Sequence, residues 1–246
     1  MNTHPSSDEL GSPSPRVKRA ETGTRSQTLD RGLCVLRELN TAQHPMPVTA
    51  IARKLGLHRS IVYRMLRTLE DHRLVTRTAD GCFELGLGLA VLSRGVRRDL
   101  QTVSVPVLSA LANEVRMTAF LTVASDDEAV TLVSVEPHQS VGHIAYAPGN
   151  RHSLHVGAPG IATLSALPPH PDERPEVTEA RRRGWAHSYA EVLPGMSAIA
   201  APVAAGQSVG AIAVVFVDSG EPWIPPRARL GERLVAAARE VTADMV

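Results

Sequence analysis

Apolar residues recur at helical spacing in three places within the first third of the chain. Leu29, Leu33, Leu36 and Leu39 mark the inward face of a helix over Ser26–Asn40. Ile51, Ala52 and Leu55 mark a short helix over Val48–Leu55, with Pro45 and Pro47 punctuating the connection. Gly56 follows, the residue that lets a chain turn left-handed past a helix end. Ile61, Val62, Met65, Leu66 and Leu69 mark a third helix over Arg59–His72. Two strand-like runs, Leu74–Arg77 and Cys82–Leu85, then flank Thr78-Ala79-Asp80-Gly81, and Asp-Gly is a strong hairpin signal. Helix, turn, helix and hairpin in this order predict a winged helix-turn-helix domain over residues 26–85.

Residues 1–25 are rich in Ser, Pro, Thr and charge and offer little to bury, which predicts a disordered tail. Its Arg16, Lys18, Arg19 and Arg25 are either a basic arm for DNA or part of a plain floppy terminus. Leu85–Arg98 is helical in pattern and predicts a linker helix over residues 86–99, with Gly86, Gly88 and Gly95 making it a candidate hinge. Its leucines and valines are too many for a solvent-bathed linker. They predict packing on the winged domain or on a second subunit. Residues 100–246 alternate between a helix near Val105–Val115, strands over Thr118–Ala124, Ala129–Glu136 and Val141–Tyr146, and a small-residue helix over His155–Leu167. A polar helix over Glu176–Arg183, strands over Ala198–Ala204 and Val209–Val217 around a Gly206-Gln207 turn, and a last helix over Pro226–Asp244 complete an α+β domain.

Charge sharpens this division. Residues 1–100 hold 16 Lys and Arg against 10 Asp and Glu, and the remainder 10 against 15. A basic first part and an acidic second part are the signature of a DNA reader joined to a sensing or assembly domain. The third helix shows the same asymmetry locally. Outside its apolar back lie Arg59, Ser60, Tyr63, Arg64 and Arg67, with no acid before Glu70. Such a face suits the major groove, where arginine pairs with guanine edges or phosphate. On its own it is equally a solvated face; the hairpin behind it decides for DNA. His58, Arg59, Ser60, Tyr63 and Arg67 are the candidates for base or backbone contact, Arg64 for a phosphate clamp or a brace of the fold, and Arg73 and Arg77 for the DNA backbone.

The residues resemble the IclR-type bacterial transcriptional regulators over nearly everything after position 25. The first half carries Leu29-Asp30-Arg31-Gly32-Leu33, Leu55-Gly56-Leu57, Ser60-Ile61-Val62-Tyr63-Arg64-Met65-Leu66 and Phe83-Glu84-Leu85-Gly86. The second carries Gly149-Asn150-Arg151, Leu154-His155, Gly160, Gly184-Trp185-Ala186, Glu191, Pro194-Gly195 and Ile199-Ala200-Ala201-Pro202-Val203. The resemblance implies a winged-helix domain, a dimerising linker helix and a GAF-like α/β domain whose small-molecule effector shifts affinity for a (pseudo)palindromic double-stranded operator. It implies a homodimer or homotetramer that acts as repressor, activator or both. It places the effector site at Leu154, His155, Gly157, Ala158, Tyr189, Glu191, Ser197, Ala198, Ala213 and Val215.

Departures from the family's pattern matter. Ser153 stands where many relatives carry Pro, Ile161 where they carry Lys, and the stretch from Leu167 to Glu176 is short. Ala198, Ala213 and Val215 stand where relatives that bind small carboxylic acids place Cys or Ser. A buried carboxylate needs several donors to offset its desolvation. This lining predicts an uncharged or more apolar effector, or a weakened pocket.

Other chemistries find little support. Four of the 10 histidines, His138, His143, His152 and His155, fall close together, but His152 and His155 lack the cysteine or carboxylate companions of a metal site. Ser153 lacks a nucleophile-elbow context, and there is no P-loop or dinucleotide fingerprint. No enzyme, metal or cofactor is expected. The rival readings are an enzyme or a partner-binding protein built on the second domain. Cys34 and Cys82 form no disulfide framework, no apolar run reaches a membrane span, and the start lacks an apolar signal region, so the expected location is the cytoplasm.

Overall fold

The computed structural model describes residues 26–138, 146–205, 208–217 and 225–245. The predicted tail, most of the predicted Val141–Tyr146 strand and the Gly206-Gln207 turn lie outside these residues. The fold divides into two compact units, the first ending at Ser93 and the second beginning at Arg94.

The first unit opens with α1 (Gln27–Thr41), whose first turn is capped by the Ser26 hydroxyl accepting from the Leu29 amide at 3.4 Å. Helix α2 (Val48–Leu55) ends at Gly56, at φ +63°, and α3 (Arg59–Asp71) follows after two residues. Val35 and Leu39 of α1, Ile51 and Ala52 of α2, and Val62, Met65 and Leu66 of α3 meet in one core with Val75 and Phe83. The inward face of α1 is therefore rotated from the leucine stripe. Leu39 is buried and Leu36 half-buried, whereas Leu29 is 63% and Leu33 46% exposed. Four leucines at spacing i, i+4, i+7, i+10 define a stripe but not where its centre falls. Val35 and Leu39 pull the seam toward the C-terminal half of α1. The two outer leucines line an open groove of about 650 Å³ with Ile61, Met65 and Leu69 of α3.

After α3 the chain reverses through Arg73, at φ +59°, with the Leu74 amide donating to the Leu69 carbonyl at 2.8 Å. It enters the antiparallel hairpin β1 (Val75–Arg77) and β2 (Phe83–Leu85), paired Val75 to Leu85 and Arg77 to Phe83. Met46 adds a one-residue bridge on the far side of Phe83, exchanging both backbone hydrogen bonds at 2.8 Å. The hairpin loop spans five residues, Thr78 to Cys82, so Asp80-Gly81 closes a longer turn than the two-residue kind.

The linker differs from the expectation of one helix through 85–98. Only Gly88–Ser93 forms a helix, α4; residues 94–97 turn, and α5 runs from Arg98 to Val115 with Pro106 inside it. Nor are Gly86 and Gly88 a hinge. Their amides donate to the Leu74 and Arg73 carbonyls at 2.9 Å, and a Cβ on either would lie 2.3 or 2.6 Å from the Arg73 oxygen. These glycines exist for close approach, clamping the chain to the turn after α3. Of the three glycines, Gly95 alone falls in the turn at residues 94–97.

Among the described residues, the second unit is built on a six-stranded antiparallel sheet in the order β5-β4-β3-β8-β7-β6. Its strands are β3 (Thr118–Ser125), β4 (Glu128–Val135), β5 (Arg151–Ser153), β6 (Ala186–Tyr189), β7 (Met196–Ala205) and β8 (Ser208–Val217). The short β5 and β6 form the two edges and carry no long apolar run, which is why periodicity missed them. Helix α5 and the last helix, α8 (Arg227–Ala243), cover one face; α6 (Gly157–Ser165) and α7 (Pro175–Arg183) cover the other. Period-two alternation sorts the side chains: Ile212, Val214 and Phe216 of β8 face α5 and α8, while Ala211, Ala213 and Val215 face α6. Burial on both faces makes β8 read as a continuous apolar run. Small residues on the α6 side let a helix of Gly157, Ala158, Gly160 and Ala162 lie close to the sheet. No helix among the described residues is long and apolar enough to cross a membrane.

Candidate nucleic-acid interface and small-molecule site

Helix α3 is organised by what it buries. Val62, Met65 and Leu66 take the interior, which turns Arg59, Ser60, Tyr63 and Arg67 to solvent along one side. Tyr63 is 43% exposed, a large amphipathic side chain standing free between arginines one turn either way. His58 is the N-cap: its Nδ1 accepts from the Ser60 amide at 3.4 Å and lies 2.8 Å from the Ser60 hydroxyl. These two polar groups order the start of the helix on each other. Arg67 shares its charge with Glu70 at 3.5 Å, an exposed pair worth a few tenths of a kcal/mol. Arg59 and Arg64 have no ion pair among the described residues. Arg64 is set apart from the others, at the rim of the α1–α3 groove beside Thr68.

The wing offers a second, smaller surface. Arg77 is exposed, its guanidinium 5.8 Å from the centroid of the buried Phe83 ring, which holds the charge at the hairpin's side. The tip is acidic. The Thr78 hydroxyl donates to the Asp80 carboxylate and holds its acid below the ordinary carboxylate range. Arg73, forced into a left-handed turn, projects from the α3–β1 corner and is exposed. Exposed Arg53, in the last turn of α2, is a further cation that the sequence reading did not single out.

The second unit contains an internal site between α6, the sheet and the segment from Ala190 to Gly195. Phe120 and Tyr146 stack in its wall, ring centroids 4.2 Å apart and planes 27° from parallel. Met196, Ala198, Val215 and Pro159 add apolar surface, Val192 and Leu193 cover it, and Ser188 and Glu191 are its polar members. The open space is about 20 Å³, room for roughly one water. Burial pushes the Tyr146 phenol above its ordinary value, with the Thr131 hydroxyl opposing part of the shift.

Both amide donors at the start of α6 are taken by the chain itself. The Gly157 amide donates to Glu191 Oε2 at 2.9 Å and the Ala158 amide to Ser188 Oγ at 2.8 Å. Arg174, the N-cap of α7, forks onto both Glu191 oxygens at 2.9 and 3.2 Å and reaches the His155 carbonyl at 2.8 Å and Glu176 at 3.2 Å. The Arg174 guanidinium holds the Glu191 carboxyl below its usual range.

Of the ten effector positions expected from the resemblance, Glu191, Ala198 and Val215 line this space. Gly157 and Ala158 border it through their amides. Ala213 and Leu154 are buried beside α6, Leu154 with its carbonyl 2.3 Å from where a Gly160 Cβ would stand. His155 and Tyr189 are exposed, and Ser197 faces the α8 side of the sheet, 3.5 Å from His187 Nε2. Phe120, Tyr146, Ser188, Val192 and Met196 went unnoticed in sequence. Strand alternation marks Phe120 only as core, and Ser188 sits on an edge strand that periodicity missed. Of the four clustered histidines, His143 lies outside the described residues; no group of three or more metal-ligating side chains occurs among those described.

Residues 28–79 match the model of the IclR helix-turn-helix domain. Among curated proteins, the chain is 29% identical to the HTH-type transcriptional regulator Rv1719 of Mycobacterium tuberculosis, over 91% of this chain and 95% of that one. It is 26% identical to the HTH-type transcriptional regulator KipR of Bacillus subtilis, over 71% and 82%. Among solved structures, an IclR transcriptional regulator from Alicyclobacillus acidocaldarius superposes with a TM-score of 0.77 at 23% identity, covering 91% of this chain and 100% of that one. An IclR homologue from Microbacterium hydrocarbonoxydans, complexed with 4-hydroxybenzoate, superposes with a TM-score of 0.74 at 23% identity, over 89% and 99%. Residues 28–79 thus match a helix-turn-helix of the IclR kind, the chain is similar over most of its length to HTH-type transcriptional regulators, and its fold is that of solved IclR regulators.

Proposed function

We propose that the protein binds a (pseudo)palindromic operator as a dimer, lays α3 into the major groove of each half-site, and changes its operator affinity when a small molecule occupies the site beneath Val192. The observation that carries the reading is the exposed side of α3, where Arg59, Ser60, Tyr63 and Arg67 stand together over a wholly apolar back. In this arrangement Arg59, Ser60, Tyr63 and Arg67 meet base edges or phosphates, with His58 ordering the helix start. Arg64, Arg73 and Arg77 meet the backbone at the margins. The acidic tip at Asp80 points the wing's contact to Arg77 rather than to the loop.

Self-association is supported by apolar surface that the first unit leaves uncovered. Leu87 is 84% exposed and Val91 and Leu92 are exposed too, and Leu29 and Leu33 open onto a groove of their own. Burying one such leucine contributes about 1.5–3 kcal/mol, so two copies have a strong reason to pair. The small-molecule role is supported by the internal site and by the 4-hydroxybenzoate held by a protein of the same fold. Hydroxyl-radical footprinting on DNA upstream of the protein's own gene tests the reading. Two protected patches with centres about 34 Å apart, or a multiple of it, are expected. A single short patch, or none, would contradict two readers on successive grooves.

A further inference from the structure

The start of α3 fixes where the hydrogens of two side chains lie. The Ser60 amide donates to His58 Nδ1 at 3.4 Å, and an amide can only donate, so this nitrogen carries no hydrogen. A protonated imidazole has hydrogens on both nitrogens and could not accept here. The cap therefore selects the neutral ring with its hydrogen on Nε2. The 2.8 Å contact between the same Nδ1 and the Ser60 hydroxyl is then an O–H donating to the ring. Two donors converge on one nitrogen and turn that edge of the ring toward the helix start. Nε2 has no hydrogen-bond partner among the described residues, and His58, Arg59 and Ser60 are all exposed.

We infer that His58, beyond ordering the helix start, is a donor-only reading group: its Nε2–H donates to an acceptor on the operator, and Ser60 is the positioning residue that locks its tautomer. The inference rests on α3 being the helix that enters the groove, where the N-terminal residues are those that reach base edges. In the major groove guanine presents N7 and O6, both acceptors, and a phosphate likewise presents only acceptors; cytosine presents only its N4 donor. A ring fixed as Nε2–H is served by the first two and rejects cytosine at the same place. Ser60, its one hydrogen spent on the ring, keeps only lone pairs and can only accept. An unlocked imidazole could present either a donor or an acceptor and would tell these edges apart poorly. Setting the hydrogen before DNA arrives also removes an ordering step from binding.

The test uses the full-length protein carrying isotope-labelled histidine. Imidazole nitrogen resonances in mildly alkaline buffer, above the ordinary range of histidine titration, report which ring nitrogen bears the hydrogen. His58→Asn identifies the His58 signals by their loss. Wild type should show Nε2–H, Ser60→Ala a larger share of Nδ1–H, and Ser60→Thr, which keeps the hydroxyl, the wild-type pattern; Nδ1–H in wild type would overturn the inference. His58→Asn and His58→Ser both keep a good N-cap, so melting should hold, but neither brings a donor to the place of Nε2. By fluorescence anisotropy, operator binding should weaken about 5- to 150-fold in each, one hydrogen bond being lost from each half of a dimer. A loss confined to the operator identifies a base acceptor, and an equal loss on competitor duplex a phosphate. Unchanged operator affinity in both variants, with wild type binding specifically, would overturn the inference and leave α3 in the groove. Wild-type protein without sequence preference would overturn the groove reading as well.

Discussion

Removing the Arg59 guanidinium should separate DNA affinity from stability. Arg59 opens α3, is exposed, and has no ion pair among the described residues. Its charge sits at the positive end of the helix, an unfavourable placement by about 0.3–1 kcal/mol at low salt. Arg59→Ala should therefore leave the thermal midpoint unchanged or slightly raised. On DNA the expectation reverses. An arginine paired with a guanine edge contributes about 1–3 kcal/mol. A dimer uses the residue twice, so the loss is about 2–6 kcal/mol, or a Kd weakened by about 30-fold to 10⁴-fold. Were Arg59 to touch only phosphate, the loss would be uniform across sequences, and the salt dependence of log K would fall by about 0.9 per copy, or about 1.8 for the dimer. Fluorescence anisotropy with a labelled operator duplex, repeated across a salt series, separates the two modes. Melting of the same preparations controls for folding. Unchanged affinity for both Arg59→Ala and Arg67→Ala, with melting intact, would refute the placement of α3 in the groove.

Other expectations follow from single contacts. Arg67→Ala should weaken operator binding with little loss of stability, because the Glu70 pair it breaks is exposed; anisotropy and melting of the same sample check this. Gly86→Ala should cost more than about 2 kcal/mol, since the new Cβ meets the Arg73 carbonyl oxygen at 2.3 Å. By contrast Gly32→Ala in α1, with open space around it, should stabilise by about 0.5–1 kcal/mol. Equal melting midpoints for the two glycine variants would contradict the clamp. Glu173 is held at about 2, against an ordinary 4.5, chiefly by hydrogen bonds from Arg181 and then Thr178. Its folded value is depressed, so its contribution is complete above about 4.5 and is lost as pH falls toward about 2. Denaturant titrations over that window should show a shallower acid loss in Glu173→Gln than in wild type, and identical slopes would refute the pairing.

The legibility of the chain tracked how local the governing physics was. Helices α2 and α3 were readable to within a residue, because apolar spacing and a left-handed glycine at Gly56 determine them locally. The basic side of α3 was equally legible, being the complement of Val62, Met65 and Leu66. What failed depended on distant partners. Whether Leu29 and Leu33 face inward is decided by where α3 crosses α1. Gly86 and Gly88 looked like a hinge until the Arg73 carbonyl lay against them. The small-molecule site was least readable: its wall joins Phe120, Ser188 and Met196 from three strands, and its lock joins Arg174 to Glu191 across a break in secondary structure.

Binding of the purified protein to DNA from its own upstream region, across a salt series and against excess competitor, tests the central claim most directly. A complex that survives competitor as salt rises, and that Arg59→Ala weakens, is the predicted result. Binding that disappears with salt and ignores sequence would show that the side of α3 bearing Arg59, Tyr63 and Arg67 is only a basic surface, and would contradict the account.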